Sequence, residues 1–312
     1  MLEAVENGAN WRGAELGQRA DWIHRISPDD PDAESKLLRI RDELENGPGV
    51  AMIRGLESFA KDEEIAQREF LDLTSRIGTP VSQSAAGDIV FSVRDAGFRD
   101  DDPRARGPNT KKKLSFHTDR CDVIAFMCLN QARCGGENEI VSSVALYNEI
   151  LKRRPDLLAI LMQPFHYQRH TVDLGNERPF CRQPIFSFRD GHFAANFLRV
   201  LIERAHTIPE IGPLPAEQRE ALDFLESVAA ETDMHHRFIQ EPGDILLLNN
   251  WVTLHRRTEF EDHPEPERKR HILRIWLSMP NSRPLDPMFR DNYGAVEAGA
   301  LRGGMKPGSG PQ

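Results

Sequence analysis

The sequence predicts a mainly β fold with flanking α-helices, a sandwich or barrel wrapped by helices. Two observations carry this. Much of the chain after residue 114 is cut into short apolar stretches of strand length bounded by turn residues. Segments of helical period are concentrated before residue 80 and in one insertion between 144 and 232. No internal repeat and no low-complexity tract interrupts the 312 residues, which predicts a single domain spanning 1–312.

The elements follow in order. After a polar N-terminal stretch, Glu34 to Glu45 carries Leu37, Leu38 and Ile40 and stops at Asn46-Gly-Pro48, a helix met by breakers. Gly49 to Leu56 reads as a strand, Lys61 to Ile77 as a helix ended by Gly78, and Ile89 to Val93 as a strand again. Arg94 to Lys113 is crowded with Asp, Arg, Gly, Pro and three consecutive lysines, and is expected to be a lid or a flexible loop. Strands are then predicted at Leu114 to His117, Asp122 to Leu129 and Glu139 to Ser142, followed by a helix near Val144 to Met162. Phe165 to Val172 and Pro184 to Phe188 read as strands, Phe193 to Ala205 and Ala216 to Thr232 as helices. The last third holds strands at His236 to Gln240, Asp244 to Asn249, Thr253 to Phe260 and Arg270 to Met279. Residues 284–312, rich in Gly and Pro, are expected to form a surface tail.

Charge and composition narrow the function. Forty Lys and Arg against 49 Asp and Glu give a formal charge of -9, which leaves no electrostatic footprint for a nucleic-acid backbone. No apolar run approaches the roughly 18 residues that span a bilayer, and the first ten residues lack a signal-peptide layout. A cytoplasmic protein without a membrane partner is expected. Cys121, Cys128, Cys134 and Cys181 are too few for a disulfide framework and match no Cys-x-x-Cys pair, so they read as reduced, mostly packed thiols.

Among 11 histidines, roughly one His-x-Asp triplet arises by chance, so His117-Thr-Asp119 means little without its context. It ends a strand-like stretch, where alternate residues share a face, so His117 and Asp119 point to one side. The rival acidic motif at His263 lies in a charged, proline-bearing loop. His255, which follows Gly243-Asp-Ile-Leu-Leu-Leu-Asn-Asn250 and begins a second strand, is the better third ligand. Two histidines and one carboxylate form the facial triad of a non-haem Fe(II) oxygenase. Fifteen residues past His255, Arg270-His-Ile-Leu-Arg274 lies on a strand. If Arg270 faces inward, so does Arg274, and a buried guanidinium requires an anion, which argues for an acidic cosubstrate. His166, His170 and Arg182 stay outside the catalytic set, because histidines on half-buried strands are usually structural.

The order Phe116-His-Thr-Asp119, Gly135-Gly-Glu-Asn-Glu-Ile-Val-Ser-Ser143, Gly243 to Asn250, His255 and Arg270 to Arg274 resembles the TauD/TfdA family of Fe(II)/2-oxoglutarate-dependent dioxygenases, over about Gly49 to Met279. The resemblance implies a double-stranded β-helix (jelly-roll) core, with His117, Asp119 and His255 binding iron. It implies that Arg270 holds the distal carboxylate of 2-oxoglutarate and that Arg274 sits near the oxoglutarate or the substrate. Where taurine dioxygenase has a threonine after the Gly-Gly-acidic run, this chain has Asn138, whose amide can still donate to the cosubstrate. The implied reaction oxidises a C–H bond of a small molecule while 2-oxoglutarate and O2 become succinate and CO2. Arg274 hints at an anionic substrate, and Asp119 argues against a halogenase, in which a small residue replaces the carboxylate. A JmjC-type demethylase is disfavoured, since that family presents lysine where this chain has Arg270. Two rivals keep part of the pattern: a cupin-like metalloenzyme working without 2-oxoglutarate, and a non-catalytic jelly-roll binding protein. Oligomeric state stays open.

Overall fold

A computed structural model describes residues 2–84, 86–98, 107–169 and 178–306. The polar N-terminal stretch builds more than its composition suggests: helix α1 (Gly13–Gln18) and strand β1 (Ile23–Arg25) carry Trp11, Leu16 and Trp22 into the interior. Helix α2 (Ala33–Asn46) buries Leu37, Ile40 and Leu44, one stripe at helical spacing, and leads to β2 (Val50–Arg54). Helix α3 (Glu63–Ser75) starts at Asp62, whose carboxylate accepts from Ile65 N, and buries Ala66, Phe70 and Leu73. Strands β3 (Thr79–Val81), β4 (Phe91–Val93), β5 (Val123–Asn130), β6 (Cys134–Gly135) and β7 (Asn138–Ser142) follow.

The insertion comprises α4 (Ser143–Arg153), α5 (Pro155–Leu161), β8 (Pro164–Gln168), β9 (Phe180–Pro184), β10 (Phe186–Arg189), β11 (His192–Ala195), α6 (Arg199–Ala205) and α7 (Ala216–Ala229). The chain closes with β12 (His235–Phe238), β13 (Ile245–Asn249), β14 (Thr253–Arg257), β15 (Phe260–Glu261), β16 (His271–Ser278) and the short α8 (Arg290–Tyr293).

A large sheet runs β1-β2-β13-β5-β16-β3, with β4 also on β16, and only its β1–β2 pair is parallel. A smaller sheet, β12-β7-β14, is antiparallel throughout. The apolar runs of the large sheet divide by the strand period of two. Ile245, Leu247, Ala125, Met127, Leu273 and Ile275 face outward under α2 and α3. Their neighbours Leu246, Leu248, Ile124 and Trp276 face inward and meet Ile140 of the smaller sheet. Both faces are buried, which is why these strands read as continuous rather than alternating apolar runs. Among the described residues no helix is long and apolar enough to cross a membrane, and Cys121, Cys128 and Cys181 are buried free thiols while Cys134 is exposed.

The structure corrects several expectations. The helix predicted over Val144 to Met162 is two helices, because Pro155 cannot continue α4 and instead occupies the first turn of α5. The predicted helix over Phe193 to Ala205 is helical only from Arg199. Its first residues form β11, folded onto β10 through a two-residue turn at Asp190 (φ 49°) and Gly191 (φ 80°), the Asp-Gly hairpin geometry. The 284–312 stretch is not a surface tail over its described part. Leu285, Phe289, Tyr293 and Val296 pack around Trp251, and Arg302, 2% exposed, pairs with buried Asp122 at 2.6 Å. Residues 307–312, His170 with the end of the predicted 165–172 strand, and 99–106 of the expected lid lie outside the described residues.

Candidate metal centre

His117 and His255 are brought together by backbone pairing, not by side-chain chance. Each N–H donates to the other's carbonyl at 3.0 Å, an isolated antiparallel bridge. Directly opposed residues project to one side, and the two imidazole centroids are 4.4 Å apart. Between His117 and Asp119, Thr118 is buried, its N–H donating to Phe197 O at 2.8 Å and its hydroxyl accepting from Phe197 N at 3.1 Å. Asp119 is then held by its own N–H, which donates to Asn250 Oδ1 at 2.9 Å. That asparagine sits in the turn joining β13 to β14, so the turn before His255 also positions the carboxylate.

One ligand atom from each of His117, Asp119 and His255 lies within 4.8 Å of the other two. Asp119 Oδ2 is 3.3 Å from His255 Nε2 and 3.8 Å from His117 Nε2, yet it is buried and makes no well-formed hydrogen bond. Two imidazole nitrogens and an orphaned carboxylate oxygen fit a ferrous ion, and three ligands leave further positions for cosubstrate and O2. His117 Nδ1 is 2.9 Å from the Ser115 carbonyl. A carbonyl only accepts, so Nδ1 carries the proton and Nε2 offers its lone pair to the centre. Burial, followed by the neighbouring His255, pushes His117 down to about 4, keeping the ring neutral. Burial alone would raise Asp119, but Arg274 and the two imidazoles more than offset it and hold the carboxyl well below its usual range.

Arg274 is buried between the rings of Phe91 and Trp276, 5.2 and 5.1 Å from their centroids. Its Nε donates to Gln83 Oε1 at 2.6 Å and its Nη1 lies 3.4 Å from Asp119 Oδ1. Arg270, 6% exposed, keeps Nη1 buried without a hydrogen-bond partner, and burial lowers its guanidinium to about 10. Gly136 explains the Gly-Gly motif here: at φ +75° it lies so near that an added Cβ would sit 3.1 Å from Arg270 Nε. Asn138, on β7, gives one amide hydrogen to Gln240 Oε1 at 3.1 Å. All six predicted site residues line one cavity of about 780 Å³, and His166 and Arg182 do not line it.

A model of the family described as "Taurine catabolism dioxygenase TauD, TfdA family" matches residues 9–276. The chain belongs to the TauD/TfdA family. Membership makes it a 2-oxoglutarate-dependent non-haem iron dioxygenase and sets aside both rival readings. FR-33289 synthase of Streptomyces rubellomurinus is 29% identical over 262 residues, 83% of this chain and 77% of that protein. Human gamma-butyrobetaine dioxygenase is 27% identical over 170 residues, 51% of this chain and 43% of that one. An asparagine oxygenase solved with Fe(II), 3-hydroxyasparagine and succinate superposes with a TM-score of 0.61 at 18% identity, covering 78% of each chain. The two facing sheets are thus the double-stranded β-helix of this family.

Sequence reading overlooked Arg257, which also lines the cavity beside Arg270. A signal existed: it stands two residues past His255, on the same face of a strand.

Proposed function

We propose that this TauD/TfdA enzyme holds its ferrous ion on His117, Asp119 and His255 and seats the distal carboxylate of 2-oxoglutarate on Arg270. The observation that carries this reading is a buried guanidinium with an unpartnered Nη1, opening on the same cavity as an orphaned carboxylate between two imidazoles. When bound, iron and 2-oxoglutarate supply the O2 chemistry that forms succinate and CO2 and oxidises a substrate C–H bond. The chain's own residues orient and exclude. Ser115 fixes the His117 tautomer, Asn250 fixes Asp119, and Arg274 keeps that carboxylate ionised. Asn138 has a second amide hydrogen for the cosubstrate carboxylate.

The substrate is read as a small anion. Ten Lys or Arg side chains line the cavity against three Asp or Glu, in a chain of formal charge -9. A cleft lined by one sign of charge concentrates the opposite ion. Arg199 is balanced by Glu203, Asp223 and Glu226, Arg256 by Glu139, and Arg274 lies beside Asp119, while Lys113, Arg204, Arg257 and Arg270 also line the cavity, against the two carboxylates of one cosubstrate.

Oxygen-free loading with Fe(II) and 2-oxoglutarate, followed by air and a panel of carboxylates, sulfonates, phosphate monoesters and amines, tests both parts. Succinate release stimulated by anions and not by amines is expected, and Asp119→Ala is expected to reduce it to background while the circular dichroism spectrum is unchanged. Stimulation confined to amines removes the anionic reading, and turnover close to the parent in the variant removes the ligand assignment.

A further inference from the structure

Arg257, 6% exposed, is held from two directions. On one side Nη1 donates to Thr110 O at 2.7 Å and Nη2 to the Lys112 carbonyl, while the Arg257 carbonyl accepts from Leu114 N at 3.0 Å. These bonds fasten the 110–114 stretch, most of which lines the cavity. On the other side the guanidinium lies 4.6 Å from the Phe260 ring centroid, the same ring that Arg270 approaches at 5.3 Å. Arg257 Nε and Arg270 Nη1 are both buried without a hydrogen-bond partner.

Two guanidiniums on one ring, in a poorly solvated place, repel each other. An anion bound at Arg270 cancels that repulsion. Without it, the least costly relief is for Arg257 to swing toward water, which breaks its bonds to Thr110 and Lys112.

We propose that Arg257 is a positioning residue that makes closure of the 110–114 stretch over the cavity depend on a carboxylate bound at Arg270. The proposal rests on the cosubstrate reading above. With the carboxylate in place, Arg257 stays inward and the stretch is fastened; with the site empty of anion, the stretch opens. The coupling is reciprocal: whatever fastens the stretch tightens the hold on the cosubstrate.

Lys111, Lys112 and Lys113 are exposed on this stretch, so trypsin reports its state. The experiment uses the full chain loaded with Mn(II) in oxygen-free buffer, with cleavage after these lysines followed by mass spectrometry and binding followed by calorimetry. Saturating 2-oxoglutarate is expected to slow cleavage about fivefold or more. Saturating 2-oxobutyrate, which keeps the keto-acid end and lacks the distal carboxylate, is expected to leave cleavage unchanged. In Arg257→Gln, cleavage is expected to be fast whether or not 2-oxoglutarate is bound; Arg257→Lys, which cannot fork to two carbonyls, serves if the first variant unfolds. Equal protection by both keto acids, or protection retained in the variants, overturns the proposal. A parent protein that binds 2-oxoglutarate without protection overturns the coupling alone. One that binds no 2-oxoglutarate overturns the cosubstrate reading, and the coupling with it.

Discussion

A buried guanidinium nitrogen without a partner is costly, and on the proposed reading the distal carboxylate of 2-oxoglutarate completes Arg270. Its planar fork matches a carboxylate through two parallel bonds. Arg270→Gln keeps a donor and loses the charge and the fork. The loss of charge-assisted bonds is worth about 1.5–3 kcal/mol, roughly a 10- to 150-fold weaker hold on 2-oxoglutarate. Iron uptake is expected to change little, since Arg270 is not a ligand. Calorimetric titration of the Mn(II) protein measures this, and an unchanged affinity would reassign Arg270 to structure. Asn138 is a subtler substitution: an amide where taurine dioxygenase has a hydroxyl, with one hydrogen already given to Gln240.

At the scale of elements, local signals and long-range demands compete. The Asp190-Gly191 dipeptide is a hairpin signal that overrides the apparent helical pattern after Phe193. Pro155 likewise divides what periodicity alone joins. The stretch from 284 contradicts its own composition because Arg302 reaches Asp122, which also accepts from Trp251 Nε1 and Met279 N, each at 2.8 Å. Removing one partner of a buried pair leaves the other charge stranded, at a cost of about 3–5 kcal/mol. Arg302→Met is therefore expected to lower stability by that amount in urea unfolding, and Asp122→Asn added to it is expected to recover part. A single variant with an unchanged midpoint would show that the closing segment is not anchored by this pair.

Across the whole molecule, imidazoles held neutral by partial or full burial contribute to the acid limit. His24, His236 and His271 are all held below the ordinary value of 6.5, chiefly by burial, which for His24 outweighs Glu43 and for His271 outweighs Glu63. The unfolded chain therefore binds more protons than the folded one once pH drops below about 6.5, so stability falls as pH falls through that region. Melting temperature of the metal-free protein is expected to be highest near neutrality and to decline between pH 7 and pH 5. A flat or rising profile over that interval would mean that these imidazoles are as accessible when folded as when unfolded.

Much of the site was legible in the primary structure because its rules are local. The His117-Thr-Asp119 spacing was read by strand alternation, although only His117 pairs, through an isolated bridge, and continuous apolar runs such as Ile245 to Leu248 announce strands covered on both sides. What those rules do not contain is which distant strand lies opposite. The pairing of His117 with His255, the meeting of Arg257 with Arg270, and the entry of Arg302 to Asp122 were decided only when the sheets closed. Charges and donors must find partners as water leaves, and the partners that satisfy them sit far away along the chain.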